Sequence, residues 1–185
     1  MRVFIAIKVS DNLVKEVSAA KHYVEKLDPA IENAARWVPL QNLHITLVPP
    51  WEIKEEEGQA LLNIISGIKI SPFEYSFTKV EYGPKLRQPN LIWACGKSPE
   101  ALMLLKRDLF RSLGREEENK PFNLHMTLAR LKKGFVPKEA LSAGISWKGV
   151  CDRITVFRSQ TFQSGAKYTE LSRDMDDQSL KTALS

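Results

Sequence analysis

Apolar and polar residues alternate without a break in two stretches of the chain that follow one pattern, Asn-Leu-His-x-Thr-Leu. The first copy carries His44 and Thr46 between apolar residues, and the second carries His125 and Thr127 at the equivalent places, 81 positions further on. Alternation of period two predicts a half-buried β-strand whose apolar face joins the core. Both stretches are therefore predicted to be strands, with histidine and threonine on the open face, about 6.5–7 Å apart along it.

Similar patterns divide the remaining chain into strands and helices. The stretch 1–9 alternates as a strand, and Ser10 or Asp11 is placed to cap a helix that ends before Asp28-Pro29. Pro49-Pro50 is expected to stop the first motif strand. The other predicted elements are helices over 54–68, 99–113 and 137–143, strands over 37–38, 73–82 and 90–95, a strand that continues the second motif to Arg130, and an antiparallel pair over 150–158 and 168–173.

The duplication of the motif predicts the class of fold. Each copy would lie in one of two similar lobes, and each lobe would be an antiparallel sheet with helices over its apolar face. The histidine–threonine faces would then be free to face each other across a central groove. We expect one domain over 1–185, built from two interleaved lobes with the motifs at 43–47 and 124–128, and a polar tail over 174–185 that frays.

Composition narrows the functional classes only slightly. The net charge of +5 permits a polyanionic partner without requiring one, and an apolar fraction of 43% is ordinary for a globular protein. Cys95 and Cys151 are too few for a disulfide framework and lack metal-ligand spacing, so we expect a reducing, cytoplasmic compartment. Arg2 and Lys8 interrupt the N-terminus, which has too short an apolar stretch for a signal peptide. No segment reaches transmembrane length, so no membrane partner is expected.

Several charged and titratable residues outside the motifs are predicted to be solvated. His22 lies opposite the apolar stripe of its helix and is expected to face solvent. Lys85 and Arg87, in a loop bounded by turn residues, are either phosphate contacts or solvated charges, and solvated charge is the favoured interpretation. The polar face of the helix over 99–113 is also expected to be solvated, and it carries Lys106, Arg107 and Arg111.

Two histidines that flank one position from opposite sides have the chemistry of paired acid–base catalysis. The histidine pKa near 6.5 lets one imidazole be neutral while the other is protonated near neutrality. Phosphoryl transfer places attacking and leaving oxygens in line, so proton-transfer groups on opposite sides of phosphorus suit it. Thr46 and Thr127 would hydrogen-bond the non-bridging oxygens. Two histidines are too few ligands for zinc and no carboxylate cluster accompanies them, so no metal and no cofactor is expected.

A single His-x-Thr sequence is uninformative, because any strand can carry one and its histidine is normally satisfied by a backbone carbonyl. Two copies with the same flanking residues, both on predicted strands, are a much stronger signal. The structural alternative is a duplicated scaffold in which both histidines merely pack.

The paired motifs resemble those of the 2H phosphoesterase superfamily, and within it the RNA 2′,3′-cyclic phosphodiesterases, also called 2′-5′ RNA ligases. The similarity covers nearly the whole chain, including the opening Met1-Arg2-Val3-Phe4-Ile5-Ala6-Ile7, the extension Leu128-Ala129-Arg130, and the closing Arg158-Ser159, Gly165 and Tyr168. This resemblance implies a bilobal, pseudo-two-fold-symmetric α+β fold whose two antiparallel sheets face a central cleft, with helices outside. It also implies metal-independent opening of an RNA 2′,3′-cyclic phosphate to a 2′-phosphate, and in some members the joining of 2′,5′ ends.

Carried onto this sequence, the resemblance makes His44 and His125 the catalytic pair, with Thr46 and Thr127 on the phosphate. It assigns His44 as the acid that protonates the leaving 3′ oxygen and His125 as the base that activates water.

The resemblance also implies two substrate contacts, Phe4 near the nucleobase and Arg130 on the phosphate. Strict alternation places Arg130 on the face opposite His125, so this role requires a bend or the end of the strand. The sequence departs from its relatives at Val48-Pro49-Pro50-Trp51, where a Phe-Leu-Gly-type turn is common. Two prolines stiffen this rim of the groove and leave the breadth of substrates open.

Three functional hypotheses follow. The first is a metal-independent RNA 2′,3′-cyclic phosphodiesterase that acts on RNA ends. The second is an enzyme for another cyclic or linear phosphodiester, such as a 2′,5′-linked oligonucleotide or a small nucleotide cyclic phosphate. The third is a non-catalytic module that binds RNA ends, against which the intact His-x-Thr sequence in both copies argues. A monomer is the default expectation, since no feature of the sequence marks an interface.

Overall fold

The computed structural model describes residues 1–85, 88–117, 121–137, 140–162 and 165–172. Arg87 and the tail over 174–185, both considered above, lie outside the described residues. The helices are α1 (Asp11–Leu27), α2 (Ala30–Ala34), α3 (Gly58–Ser66) and α4 (Glu100–Ser112). The strands are β1 (Arg2–Lys8), β2 (Ala35–Trp37), β3 (His44–Glu52), β4 (Phe73–Gly83), β5 (Leu91–Gly96), β6 (Leu124–Leu131), β7 (Ser142–Cys151), β8 (Thr155–Phe162) and β9 (Gly165–Glu170).

The described strands form two antiparallel sheets. The first sheet has the order β3-β1-β8-β9, and the second has the order β2-β6-β5-β4-β7. The motif strand of the first sheet, β3, pairs with β1, and that of the second sheet, β6, pairs with β5. A long helix lies between the two paired strands in the sequence of each lobe, α1 in the first and α4 in the second. This repetition confirms the α+β architecture with two antiparallel sheets that the sequence predicted.

The apolar faces of the two motif strands lie in a single hydrophobic core. Ile45 and Leu47 of β3, together with Met126 and Leu128 of β6, are at most 1% exposed and belong to the same cluster. Each long helix also contacts a strand of the other sheet, because α1 packs against β7 and α4 against β3. The two lobes therefore share their packing, and the histidine–threonine faces are turned away from it.

A β-bulge interrupts both motif strands just after the threonine. The extra residue is Leu47 in β3 and Leu128 in β6, so the two bulges occupy equivalent places in the two copies. An extra residue reverses the alternation of side chains beyond it. Each motif strand therefore presents histidine and threonine to the cleft and then a further residue that strict alternation would have turned inward.

The prediction that Pro49-Pro50 stops the first motif strand is wrong, because β3 continues to Glu52. This strand lies at the edge of its sheet, where a proline whose nitrogen faces away from the partner strand leaves no ladder hydrogen bond unmade. Its register with β1 is also irregular at this point. Edge position and bulge together explain why two successive prolines are accommodated.

The helix predicted over 137–143 is wrong, because none of its described residues is helical and Ser142 and Ala143 begin β7; residues 138 and 139 lie outside the described part. The inward positions of β7 include Ala143, which has a small side chain, and Gly149, which has none, so the alternation of apolar side chains is hard to recognise in the sequence. The final antiparallel pair is present as β8 and β9, and it begins later than predicted because β7 takes the residues before Cys151.

Gly96 offers a test of the packing between β4 and β5. A Cβ atom at Gly96 would collide with the backbone oxygen of Ser76, which cannot move away as a flexible side chain can. We expect Gly96→Ala to lower the free energy of unfolding by about 1–3 kcal/mol, the usual cost of overpacking. Urea unfolding followed by circular dichroism measures it.

Gly144→Ala in β7 is the matched control, because nothing lies within 4 Å of a Cβ atom placed there. We expect the free energy of unfolding to stay unchanged or to rise by up to about 1 kcal/mol, since alanine reduces the entropy of the unfolded chain. Equal losses in the two variants would show that Gly96 does not make the close contact described.

Candidate active site

Four side chains of the two motifs lie on the open faces of their strands. His44, Thr46, His125 and Thr127 are each partly exposed, whereas the apolar residues that alternate with them are buried. Thr46 of the first motif and His125 of the second line the same cavity, which has a volume of about 470 Å³. The fold therefore brings two motifs that are far apart in the sequence to one site.

His44 is held by a backbone carbonyl and by two aromatic rings. Its Nδ1 lies 2.6 Å from the backbone oxygen of Asn42, and its ring centre lies 4.9 Å from that of Phe4 and 5.4 Å from that of Tyr168. The side-chain amide of Asn42 donates in turn to the backbone oxygen of Ala166 at 3.1 Å. The residue that orients His44 is thus tied to β9, the strand that carries Tyr168.

His125 has the same polar contact and a different aromatic neighbour. Its Nδ1 lies 2.8 Å from the backbone oxygen of Asn123, and its ring centre lies 5.0 Å from that of Trp93. Trp93 pairs with Thr127 across β5 and β6. Its indole packs so closely on Gly83 of β4 that a Cβ atom there would collide with the ring. The glycine therefore permits the position of the indole that contacts His125.

The same hydrogen bond orients both imidazoles. A carbonyl oxygen only accepts, so in each ring Nδ1 carries the proton and donates it. Nε2 is then the nitrogen that changes its protonation state, accepting a proton in the neutral ring and donating one in the imidazolium. The structural alternative, a histidine satisfied by a carbonyl, accounts for only one of the two nitrogens.

Burial is the largest influence on the charge of His44. Desolvation lowers the pKa of this imidazole below its ordinary value of 6.5, the hydrogen bond to the Asn42 carbonyl partly opposes that effect, and the positive charges of His125 and Arg130 lower the pKa further. The neutral form of His44 is therefore favoured at neutral pH. An anion placed among these groups would act in the opposite direction.

Arg130 reaches the cleft side because of the bulge at Leu128. Ala129 and Leu131 are buried, whereas Arg130 is exposed, so the bend that this residue required is present. Arg130, Asn42 and Tyr168 line a cavity of about 120 Å³. Since Asn42 and Tyr168 both contact His44, this cavity lies on the His44 side of the site.

Lys106 is 9% exposed, so the prediction that it is solvated is wrong. Its Nζ donates to Glu117 at 3.1 Å and lies 4.7 Å from the ring centre of Phe110 and 5.4 Å from that of Phe122. It lines the same cavity as Thr46 and His125. The sequence did carry a signal, because Lys106 follows Leu102 by four residues and therefore lies on the buried face of α4.

Trp93 is the other residue of the site that sequence reasoning left without a role. The strand predicted over 90–95 contains this residue, but nothing in its spacing indicates His125 as its neighbour. That contact depends on the register between β5 and β6, and register is set by tertiary packing.

Phe4 lies on the open side of β1, yet it is only 2% exposed. Its ring centre lies 5.1 Å from that of Phe157 and 4.9 Å from those of Tyr168 and His44. These three rings cover most of the Phe4 side chain, and its contact with a nucleobase stays a prediction. The ring packs directly against His44.

The remaining candidate residues in the described part of the chain have no contact with the two histidine rings that would give them a chemical role. His22 and Lys85 are exposed, as the favoured interpretations predicted. Cys95 pairs with His125 across the strands, and its Sγ donates to Glu81 at 3.2 Å. Burial and then this hydrogen bond raise the pKa of the thiol to about 12, so it stays protonated and is no nucleophile.

The described residues contain no group of three or more His, Cys, Asp or Glu side chains arranged to hold a metal ion. Their helices include none that is both long and apolar enough to span a bilayer.

Two His-x-Thr strands that open onto one cavity of a bilobal α+β fold are the arrangement of a two-histidine phosphoesterase. The family model for LigT-like phosphoesterases matches residues 13–93, which include the first motif. A relative from Archaeoglobus fulgidus, named RNA 2′,3′-cyclic phosphodiesterase, is 28% identical over 135 residues, or 72% of this chain and 74% of the relative. A relative of the same name from Thermotoga maritima is 28% identical over 180 residues, or 92% and 93% of the two chains.

A solved structure of a LigT protein is also similar to this chain. The crystal structure of Escherichia coli LigT complexed with 3′-AMP superposes with a TM-score of 0.71 at 27% identity, covering 92% of this chain and 95% of that one. The chain is a phosphoesterase similar over most of its length to LigT and to relatives named RNA 2′,3′-cyclic phosphodiesterase, which confirms the resemblance noted from the motifs.

The lowered pKa of His44 can be measured by NMR. We expect its ring C–H signals to titrate with a midpoint below pH 6.5, because burial and two neighbouring cations disfavour the imidazolium. Arg130→Gln removes one of those cations and should move the midpoint to higher pH. Inorganic phosphate should move it in the same direction, because a bound anion favours the charged ring.

Spectra of His22→Gln and His125→Asn assign the signals of the three histidines. A His44 midpoint at or above 6.5 in the phosphate-free protein would contradict the environment described here. A midpoint that phosphate leaves unchanged would show that no anion binds beside this ring.

Proposed function

We propose that this protein hydrolyses the 2′,3′-cyclic phosphate at the end of an RNA and leaves a 2′-phosphate. The observation that carries the proposal is the shared cavity, to which the first motif contributes Thr46 and the second contributes His125. The family and the two relatives named RNA 2′,3′-cyclic phosphodiesterase support this choice of substrate. One chain supplies both motifs as a single domain of two lobes, so the proposed site needs no second subunit.

In the proposed reaction, water attacks phosphorus from the side opposite the 3′ oxygen. Nε2 of His125 accepts a proton from this water as the new bond to phosphorus forms. Nε2 of His44 donates a proton to the 3′ oxygen as its bond to phosphorus breaks. The bond to the 2′ oxygen is retained, so the product is a 2′-phosphomonoester. Proton exchange with solvent then restores both rings.

The donor role of His44 requires a bound anion. Burial first, and then the charges of His125 and Arg130, keep the pKa of His44 below 6.5 in the unliganded protein. A phosphodiester carries a negative charge, and at the ring it raises that pKa and favours the imidazolium. His44 would therefore gain its proton as the substrate binds, beside the oxygen that has to leave.

Thr46, Thr127 and Arg130 are proposed to contact the non-bridging oxygens of the phosphate. The two hydroxyls donate from opposite lobes, and the guanidinium adds a positive charge from the end of β6. Hydrogen bonds to these oxygens strengthen as negative charge develops on them, so they stabilise the transition state more than the substrate. The bulge at Leu128 supports this role for Arg130.

Phe4 and Trp93 are proposed to position the histidines without touching the reacting atoms. The ring of Phe4 contacts His44 and that of Trp93 contacts His125. Each aromatic ring limits the rotation that the hydrogen bond at Nδ1 alone would allow.

Each histidine should be required for turnover. We expect His44→Ala and His125→Ala each to lower kcat by about 100-fold or more, the usual loss for a general acid or base. The substrate is an oligonucleotide that ends in a 2′,3′-cyclic phosphate, and its binding should change little because the threonines and Arg130 remain. His22→Ala, altered at an exposed histidine of α1, is the matched control and should keep full activity.

The same assay tests the remaining steps. Activity should persist in EDTA, because proton transfer between imidazoles and water uses no metal, and chromatography should identify a 2′-phosphate. Loss of activity in EDTA, a 3′-phosphate product, or a near-full rate in either histidine variant would each contradict the proposal. Binding of the RNA end without turnover would favour the non-catalytic module instead.

Joining of 2′,5′ ends is a second candidate activity, favoured by the cavity beside His125. In ligation, the 5′-hydroxyl of a second RNA replaces water as the attacking group. Trp93 and Phe122 line that cavity together with Lys106, on the side where His125 would accept the proton. Its volume of about 470 Å³ is in the range of roughly 300–1,000 Å³ that small-molecule pockets occupy. A nucleoside stacked on these rings would bring its 5′-hydroxyl towards phosphorus.

Phe122→Ala should separate joining from hydrolysis. Stacking of one base on an aromatic side chain contributes about 1–3 kcal/mol, so we expect the yield of joined product to fall at least about fivefold. Hydrolysis of the same cyclic-phosphate strand should change less than about twofold, since water needs no stacking surface. Phe162→Ala, at a ring that is 50% exposed near the end of β8, is the control. A parallel loss of both activities, or no joined product from the unaltered protein, would remove this candidate.

A further inference from the structure

Two arginines face one small cavity next to His44. Arg36 of β2 pairs in register with Arg130 of β6. Residues opposite each other on antiparallel strands project to the same side of the sheet, with Cβ atoms about 4.5–5.5 Å apart. Both arginines line the cavity of about 120 Å³ that Asn42 and Tyr168 also line.

The positive charge of this pair is not balanced within the described part of the chain. Neither arginine takes part in an ion pair there. Three lysines of the same two sheets and of α4 are balanced, since Lys8 pairs with Glu170, Lys79 with Glu81 and Lys106 with Glu117. Like charges directly opposite each other destabilise a sheet. A bound anion would relieve that repulsion.

The cavity has the size and the donors of a phosphate subsite. Its volume of about 120 Å³ is well below the roughly 300–1,000 Å³ of pockets that hold drug-sized molecules, so a single anionic group suits it better than a nucleobase. A guanidinium is planar and binds phosphate oxygens through two parallel hydrogen bonds. Two guanidinium groups on one side of a sheet therefore suit a phosphate.

The position of the cavity identifies which phosphate it would take. In the proposed reaction, His44 protonates the 3′ oxygen, so the ribose of the terminal nucleotide lies on the His44 side of phosphorus. The next group of the strand is the phosphate on the 5′ side of that ribose. The cavity lies on the same side, because Asn42 and Tyr168 line it and contact His44.

We propose that Arg36 binds the phosphate on the 5′ side of the terminal nucleotide, with Arg130 between this phosphate and the cyclic phosphate. The inference rests on the proposed function and deepens it by naming a substrate preference. An RNA strand, or a nucleotide with a 5′-phosphate, is preferred over a nucleoside cyclic phosphate with a free 5′-hydroxyl. Arg36 is thereby a specificity-determining residue outside the two motifs.

The test compares two small substrates that differ only at the 5′ position. One is adenosine 2′,3′-cyclic phosphate, and the other is the same compound with a 5′-phosphate. We expect kcat/KM of the unaltered protein to be at least about tenfold higher for the second compound, as a charge-assisted contact to phosphate implies. Added salt should reduce the ratio of the two values, because it screens exposed charges.

Arg36→Gln should abolish this ratio while leaving kcat/KM for the 5′-hydroxyl compound within about twofold, since that compound has no group in the subsite. Arg36→Lys keeps the charge but not the planar pair of donors, and we expect an intermediate ratio. Arg107→Gln, which removes an exposed cation of α4, is the matched control and should keep the full ratio. Circular dichroism checks that each variant is folded.

The outcomes separate this inference from the function on which it rests. Hydrolysis of both compounds at equal rates by the unaltered protein would overturn the subsite and leave the proposed function intact. A preference that survives in Arg36→Gln would show that another residue binds the 5′-phosphate. Failure of the unaltered protein to hydrolyse either compound, or a longer strand, would overturn the function and the inference together.

Discussion

A single hydrophobic core holds the apolar faces of both motif strands, and the geometry of the site depends on it. Ile45 and Met126 are fully buried in one cluster, although the two strands belong to different sheets. A slip of either strand by one residue would expose its apolar side chains and bury its histidine, so the core fixes the register. Residues that never approach a substrate thus determine where His44 and His125 point.

The bulge after each threonine allows the motif strand to present one more residue to the cleft than a regular strand would. Strict alternation would turn Arg130 into the core, where an unpaired charge is costly. The extra residue Leu128 shifts the alternation by one position, so that Ala129 is buried and Arg130 returns to the cleft side. The equivalent bulge in β3 places Pro49 beside the cavity that His125 lines. Each lobe therefore supplies one further residue to the site, and the two residues differ in character.

The elements that the sequence predicted well are those with a local cause. The motif strands follow from period-two alternation, and α1 follows from the Ser10 cap and its apolar stripe. The features that the sequence did not predict depend on contacts between residues that are distant in the sequence. The continuation of β3 through Pro49-Pro50 requires an edge position, and the opposition of Arg36 to Arg130 requires the register of β2 on β6. Lys106 is different, because its helical spacing already placed it on the buried face and only its charge suggested otherwise.

The two lobes have the same backbone arrangement around the motif, but the surroundings of the two histidines differ. Asn42, which orients His44, is buried, whereas Asn123, which orients His125, is exposed. The position after the bulge is a cation in one lobe and a proline in the other. Burial, together with the charges of His125 and Arg130, lowers the pKa of His44. The proposed reaction is itself asymmetric, since water enters on one side of phosphorus and a ribose oxygen leaves on the other. In this duplicated fold, the two copies differ around a backbone contact that both retain. Here the hydrogen bond at Nδ1 is the part that both copies keep.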